Sequence, residues 1–148
     1  MTTIEKLGPQ DLPKLVSLLR LYADVFEMDN FSLPAPDYLQ SLLTRNGLTF
    51  LVAISAGEIV GGLTAHDLPS AYFPADEVYL YDLAVSRKHQ RQGIGRQLLT
   101  DLGARCSARG SPEFFLEADL VDTGAIEFYR ATGGLQEKVT HFSFPSNA

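Results

Sequence analysis

One stretch in the middle of the chain, EVYLYDLAVSRKHQRQGIGRQLLTDLGARC (residues 77 to 106), limits the possible folds more than any other. Glu77 to Val85 is rich in Val, Tyr and Leu, which suit a pleated, half-buried surface. Ile94, Leu98, Leu99, Leu102 and Cys106 then recur at helical spacing. QRQGIG lies between them. A strand, a glycine turn and a helix in immediate succession predict a helix whose N-terminus opens beside the end of the strand. Such an N-terminus carries N–H groups without intrahelical partners and a partial positive charge. Gly93 and Gly95 have no side chains, so an anion can approach those groups closely. Arg91 and Arg96 flank the turn and add charge-assisted hydrogen bonds. The physical reading is a pyrophosphate cradle.

Charge distribution supports that reading. The 148-residue chain has a formal net charge of -6. Yet Ser86 to Gly110 holds Arg87, Lys88, Arg91, Arg96, Arg105 and Arg109, with Asp101 as its only acid. One region suits an anion; the remainder favours a cation and repels nucleic acid. Two common nucleotide motifs do not match. A Walker loop requires Gly-Lys-Ser or Gly-Lys-Thr, whereas Arg96 and Gln97 follow Gly95. A Rossmann fingerprint requires a third glycine, and position 98 is leucine.

The flanking sequence predicts a single domain over residues 1–148. A strand over Thr2–Leu7 precedes a helix over Pro9–Phe26, a Pro-bounded loop, and a short helix over Asp37–Arg45. Leu48–Ile54 and Ile59–Ala65 form a hairpin about Ser55-Ala56-Gly57-Glu58, and Leu68–Ala75 is a connector. After the central strand and the helix over Gly93–Arg109 come a strand over Phe114–Ala118, a helix over Thr123–Ala131 and a last strand over Leu135–Phe144. The predicted class is α/β (α+β), with a mixed, mostly antiparallel sheet. No apolar run spans a membrane and no signal peptide is visible, so the expected location is the cytoplasm. Cys106 is the single cysteine, on the inward stripe of its helix. His66, His89 and His141 show no metal-ligand spacing, so no metal site is expected.

Gln90-Arg91-Gln92-Gly93-Ile94-Gly95 resembles the acyl-CoA signature Gln/Arg-x-x-Gly-x-Gly/Ala of the GNAT N-acetyltransferases. It follows Tyr81-Asp82-Leu83-Ala84-Val85, where that family places its fourth strand. The segment from Asp122 to Gly134 is similar to the family's Asn-x-x-Ala-x-x-x-Tyr-x-x-x-Gly-Phe, with Asp122 for Asn and Gly134 for the aromatic. The resemblance implies a sheet with helices on both faces and a splayed strand pair. It implies acetyl-CoA as cosubstrate, its pyrophosphate on the main chain of Arg91, Gln92, Gly93, Ile94, Gly95 and Arg96. The pantetheine arm would pair with Leu83, Ala84 and Val85 like an added strand.

Acetyl transfer to an amine requires a neutral amine, hydrogen bonds to the thioester oxygen and a proton for the leaving sulfur. A backbone N–H between Leu83 and Val85 could serve the oxygen. Tyr129, at the family's tyrosine position, is the candidate acid. Asp82, a carboxylate in an otherwise apolar strand, is costly to bury unless paired or near water. It is the candidate to hold a cationic substrate or take its proton, against a structural role at a β-bulge. Tyr81, Glu117, Asp119 and Asp122 are further candidate substrate contacts, with Glu117 and Asp119 expected on one face of a strand. For Asp122 a helix N-cap is the simpler reading. Glu27 and Asp29 could add an acidic wall from the Pro-bounded loop, and His141 could line the cleft.

GEIVGGLTAHDLP, EADLVDTGAIEFY and EKVTHFSF look like the corresponding stretches of GNAT-type aminoglycoside 3-N-acetyltransferases. That resemblance implies acetylation of an aminocyclitol amine by direct transfer in a ternary complex. Two alternatives stay open: a GNAT enzyme acting on a polyamine or a protein or peptide amine, and a non-catalytic acyl-CoA-binding module. The expected partner is a cationic small molecule, with no nucleic acid and no membrane. A homodimer is compatible with the family, but no interface is legible.

Overall fold

The computed structural model describes residues 1–147. Two compact units divide the chain, Met1–Glu117 and the stretch from Ala118 on.

The first unit is a five-stranded sheet in the order β1-β2-β3-β4-β5. Its strands are β1 (Thr2–Lys6), β2 (Leu48–Ser55), β3 (Glu58–Pro69), β4 (Asp76–Val85) and β5 (Phe114–Phe115). β1 to β4 pair antiparallel, and β5 joins β4 in parallel. Helices α1 (Leu12–Val25) and α2 (Pro36–Leu43) cover one face, where Leu15, Leu18, Tyr22 and Leu39 pack with Phe50 and Val52. Helix α3 (Ile94–Ala108) covers the other, where Leu98, Leu102 and Cys106 pack with Leu51, Leu63 and Leu80. α1 lies close on β3 because Gly62 has no side chain. A Cβ there would stand 2.4 Å from Leu18 Cδ1 and 2.6 Å from the Leu51 carbonyl oxygen. Among the described residues no helix is long and apolar enough to cross a membrane.

β4 contains the irregularity that matters most. Thr64 pairs with Asp82, but the next residue of β3, Ala65, pairs with Leu80. Tyr81 is therefore an extra residue, a β-bulge. Leu80 and Leu83 both face α3 although an odd number of positions separates them. Regular alternation would have kept Asp82 on the α3 face beside Leu80. The bulge instead turns it to the α1/α2 face, which Ala84 shares.

Three sequence expectations need correction. β3 runs on to Pro69 through Leu68, which was expected to lie in a connector, because Leu68 pairs with Glu77 and Pro69 with Asp76. A proline on the last residue of a strand forgoes little pairing. β5 is limited to Phe114–Phe115, opposite Val78 and Tyr79, and stops level with the start of the bulge, where ladders commonly end. Glu117 and Asp119 thus do not alternate along a strand. In the second unit α4 (Thr123–Ala131) has the expected bounds, but Leu135–Phe144 is not a strand. A strand exists only when its main-chain groups pair with a neighbour, and among the described residues none pairs with this stretch. Leu135, Val139, Phe142 and Phe144 are exposed.

Candidate active site

The glycine turn is built largely from main chain. After β4, a short 3₁₀ turn over Arg87–His89 is held by Ser86 Oγ and His89 Nδ1, 2.7 Å apart. Gln90 Nε2 donates to the Val85 carbonyl at 3.0 Å, tying the turn to the strand end. Arg91 (φ 62°) and Gly93 (φ 82°) both lie in the left-handed region. Gly93 is the N-cap of α3, and no side chain caps that end. No heavy atom lies within 4 Å of where a Gly93 Cβ would project. The opening is thus a space that a side chain would fill, directly in front of a helix N-terminus. That fits a phosphate group approaching the backbone.

The basic cluster is less available than its sequence suggests. Arg87 contacts Asp24 at 3.2 Å and Glu27 at 3.4 Å. Arg105 pairs with Asp101, and Arg109 grips both carboxylate oxygens of Asp67 at 2.6 and 3.0 Å. Arg91 and Arg96 lie beside the glycines and are exposed.

Along β4, Leu80 to Val85 lie beyond the short β5 pairing, and among the described residues β3 is their only strand neighbour. The main-chain edge at Leu83, Ala84 and Val85 is thus available for strand-like pairing with an extended chain.

Asp82 stands beside that edge on the α1/α2 face. A cavity of about 330 Å³ opens there, lined among others by Asp82, Tyr81, His66, Thr64, Tyr38 and Arg45. Burial raises the Asp82 carboxyl above the ordinary carboxylate range; a Thr64 hydrogen bond and nearby His66 pull it partly back. The group is thereby a stronger base than an exposed aspartate. Thr64 is itself buried, and its Oγ1 lies 3.0 Å from Tyr22 Oη.

Aromatic rings extend this surface. His66 meets Tyr81 edge to face at 5.7 Å, Tyr81 meets Tyr79 at 5.8 Å, and Tyr79 stacks on Phe115 at 5.0 Å. Tyr79 Oη donates to Glu117 Oε1 at 3.3 Å. Tyr81 is 64% exposed, so its ring is open to a ligand. An electron-rich ring face and adjoining carboxylates attract ammonium groups.

The other predicted residues fall in varied settings. Glu27 pairs with Arg87, so it balances the basic segment; Asp29 is exposed. In the second unit Asp122 accepts from Ala125 N–H at 3.0 Å and caps α4, which is the simpler role foreseen for it. Asp119 accepts from Val121 N–H at 3.4 Å. Tyr129 lies on α4, half-buried and edge-on to Phe128 at 5.3 Å; burial, then Asp122, raises its hydroxyl pKa. His141 is exposed, with Nε2 3.2 Å from Ser143 Oγ, and does not lie in a strand as expected. Sequence reasoning missed Thr64, Tyr22 and the partners of Tyr81. Only the β3–β4 register could have revealed them, and the bulge hides that register.

A glycine turn at a helix start, an open strand edge and a raised carboxylate beside it suit an acyl-CoA-dependent transferase. The model of the acetyltransferase (GNAT) family matches residues 15–133, and the chain belongs to that family. It is an N-acetyltransferase by family, with acetyl-CoA as the family's acetyl donor. Among solved structures it is similar to an aminoglycoside acetyltransferase, meta-AAC0020, from an uncultured soil metagenomic sample, in complex with trehalose. The two are 43% identical over 99% of this chain and 97% of that one, with a TM-score of 0.96. A second soil metagenomic aminoglycoside acetyltransferase, HMB0005, is 33% identical over 99% of both chains, with a TM-score of 0.93. The ribosomal protein bS18-alanine N-acetyltransferase of Escherichia coli (strain K12) is 29% identical over 99% of this chain and 89% of its own length.

Proposed function

We propose that the protein transfers the acetyl group of acetyl-CoA directly to an amine of an aminoglycoside, the 3-amino group, within a ternary complex. The observation that carries this reading is the half-buried Asp82, turned by the bulge onto a face walled by Tyr79, Tyr81 and His66. An aminoglycoside presents several ammonium groups on ring scaffolds, matching carboxylates interleaved with ring faces. The similarity to meta-AAC0020, which also has a structure in complex with sisomicin at 42% identity, supports the same substrate class.

When bound, acetyl-CoA supplies an activated acetyl group on sulfur. The N–H groups at Arg91 to Arg96 hold its diphosphate, and the edge of Leu83 to Val85 aligns its arm. Asp82 takes the proton of the acceptor ammonium, directly or through a water, freeing the nitrogen lone pair. A new C–N bond then forms as the C–S bond breaks. A main-chain N–H between Leu83 and Val85 donates to the carbonyl oxygen as negative charge grows there. By its position in the family motif, Tyr129 gives its proton to the departing sulfur and is reprotonated by the second proton that the nitrogen sheds as the amide forms; its raised pKa keeps the hydroxyl protonated until then. Tyr81 and Glu117 hold the remaining ammonium groups.

A second reading has one observation in its favour, the bS18-alanine relative: the acceptor would be the N-terminal amine of a protein. Free-thiol release from acetyl-CoA separates the two, using sisomicin, a kanamycin-type compound, spermidine and an Ala-initiated peptide as acceptors. Turnover with the aminoglycosides at least tenfold above the others supports the first. Turnover with the peptide alone replaces it.

A further inference from the structure

We propose that Tyr22 and Thr64 are positioning residues, a two-hydroxyl relay from Tyr22 through Thr64 that holds Asp82 in one orientation and in its proton-accepting form. The inference rests on the role given to Asp82 above.

The geometry comes first. Tyr22 projects from α1 into the core on the α1/α2 face and is 3% exposed. Its Oη lies 3.0 Å from Thr64 Oγ1. Thr64 is 6% exposed and is the cross-strand partner of Asp82. Cross-strand partners share a face, with Cβ atoms about 4.5–5.5 Å apart, which brings the Thr64 hydroxyl beside the carboxylate. Thus a buried phenol, a buried hydroxyl and a half-buried carboxylate form one line running from the core to the cavity.

Proton counting gives the line a direction. Each hydroxyl has one proton to donate. Tyr22 stacks on Phe26 at 5.6 Å and packs among Leu15, Leu18 and Val52; burial raises its pKa, so it keeps its proton. If Tyr22 donates to Thr64, the Thr64 proton points to Asp82, and every donor is satisfied with the carboxylate ionised. If the direction reverses, Thr64 presents only lone pairs to Asp82, and the carboxyl must carry a proton to fill the gap. The Tyr22 proton is then left without an acceptor in the core, which costs about 1–3 kcal/mol. The relay therefore favours the ionised carboxylate and opposes the burial that pushes its pKa up. The other groups facing the cavity are His66 on β3, Tyr81 on β4, Tyr38 on α2 and Arg45 after α2. His66 favours ionised Asp82, and neither His66 nor Arg45 can fix its orientation through Thr64.

The test is an NMR titration of the Asp82 carboxyl carbon without acceptor, assigned by its loss in Asp82→Asn. Thr64→Val keeps the shape and removes the relay; its Asp82 midpoint should rise by about 0.5–1 pH unit. Thr64→Ser should restore the wild-type midpoint, and Tyr22→Phe should give a smaller rise. In parallel, kcat of Thr64→Val should fall about tenfold with little change in KM for acetyl-CoA, and Thr64→Ser should recover it. Should Thr64→Val fold poorly because the Tyr22 donor is stranded, the Tyr22→Phe/Thr64→Val pair removes both polar groups and should still show the raised midpoint. An Asp82 midpoint unmoved in folded Thr64→Val, or in the double variant, overturns the relay. Full activity in Asp82→Asn overturns the role of Asp82 instead, and leaves the titration result standing.

Discussion

In the mechanism proposed above, the glycine turn and the Asp82 face recognise opposite charges by opposite means. At Gly93 the recognising groups are main-chain N–H groups, exposed because side chains are missing. At Asp82 they are side chains, brought together from β3, β4 and α1 by strand register and a bulge. A main-chain site needs only local sequence, whereas a side-chain site needs the fold to be correct over many residues. The difference teaches that the first site should tolerate changes of charge nearby and fail when bulk is added. The second should fail on loss of a single oxygen.

The largest expected effect follows from that contrast. Asp82→Asn is nearly isosteric, yet at pH 7 it should lower kcat with an aminoglycoside by about 10²–10³. Affinity for CoA, measured by calorimetry, should change less than about twofold. A parallel loss of both would merge the two regions into one site.

The converse substitution is Gly93→Ala. Its φ of 82° is unfavourable for alanine, while the space for the methyl is open. The added carbon stands where a phosphate would approach, so Kd for CoA should rise about tenfold, including roughly 1 kcal/mol of backbone cost. The kcat at saturating acetyl-CoA should change only about twofold. An unchanged Kd would remove the cradle from the account.

Stability should move the other way from activity, and by less. Burial raises the Asp82 pKa above its ordinary value of 3.8. The unfolded chain then ionises more readily than the folded one. The fold is therefore penalised as pH rises from the ordinary carboxyl range through the raised folded value, and the penalty is full above it. Asp82→Asn should consequently raise Tm at neutral pH by about 1–3 °C, with the gain vanishing as pH falls below about 4. A gain that persists in acid would point to packing rather than charge.

The same contrast explains what the sequence made legible. Gly93, Gly95 and the strand before them are contiguous, so the turn at the start of α3 could be read directly. The class of fold followed from the immediate succession of a Val-, Tyr- and Leu-rich strand, a glycine turn and a helix. The parts that escaped depend on distant pairing. Tyr81 and Asp82 are adjacent in sequence, and nothing local says that both face α1. β5 ends at Phe115 although Leu116 continues the apolar run, because β4 changes register there. Leu135–Phe144 has the composition of a strand but no partner to complete it. Local sequence also hides that Arg87, Arg105 and Arg109 of the basic segment are engaged by Asp24, Glu27, Asp101 and Asp67.

The central claim is that Asp82 handles the acceptor's proton, and the pH dependence of a single ratio tests it. Turnover of wild type and Asp82→Asn is compared from pH 6 to pH 10 at saturating acetyl-CoA. The account predicts a deficit of about 10²–10³ at neutral pH that shrinks to about tenfold or less near pH 10, where the amine has already lost its proton. A deficit that stays constant across that range would contradict it, because a carboxylate needed equally at every pH is not there to remove a proton.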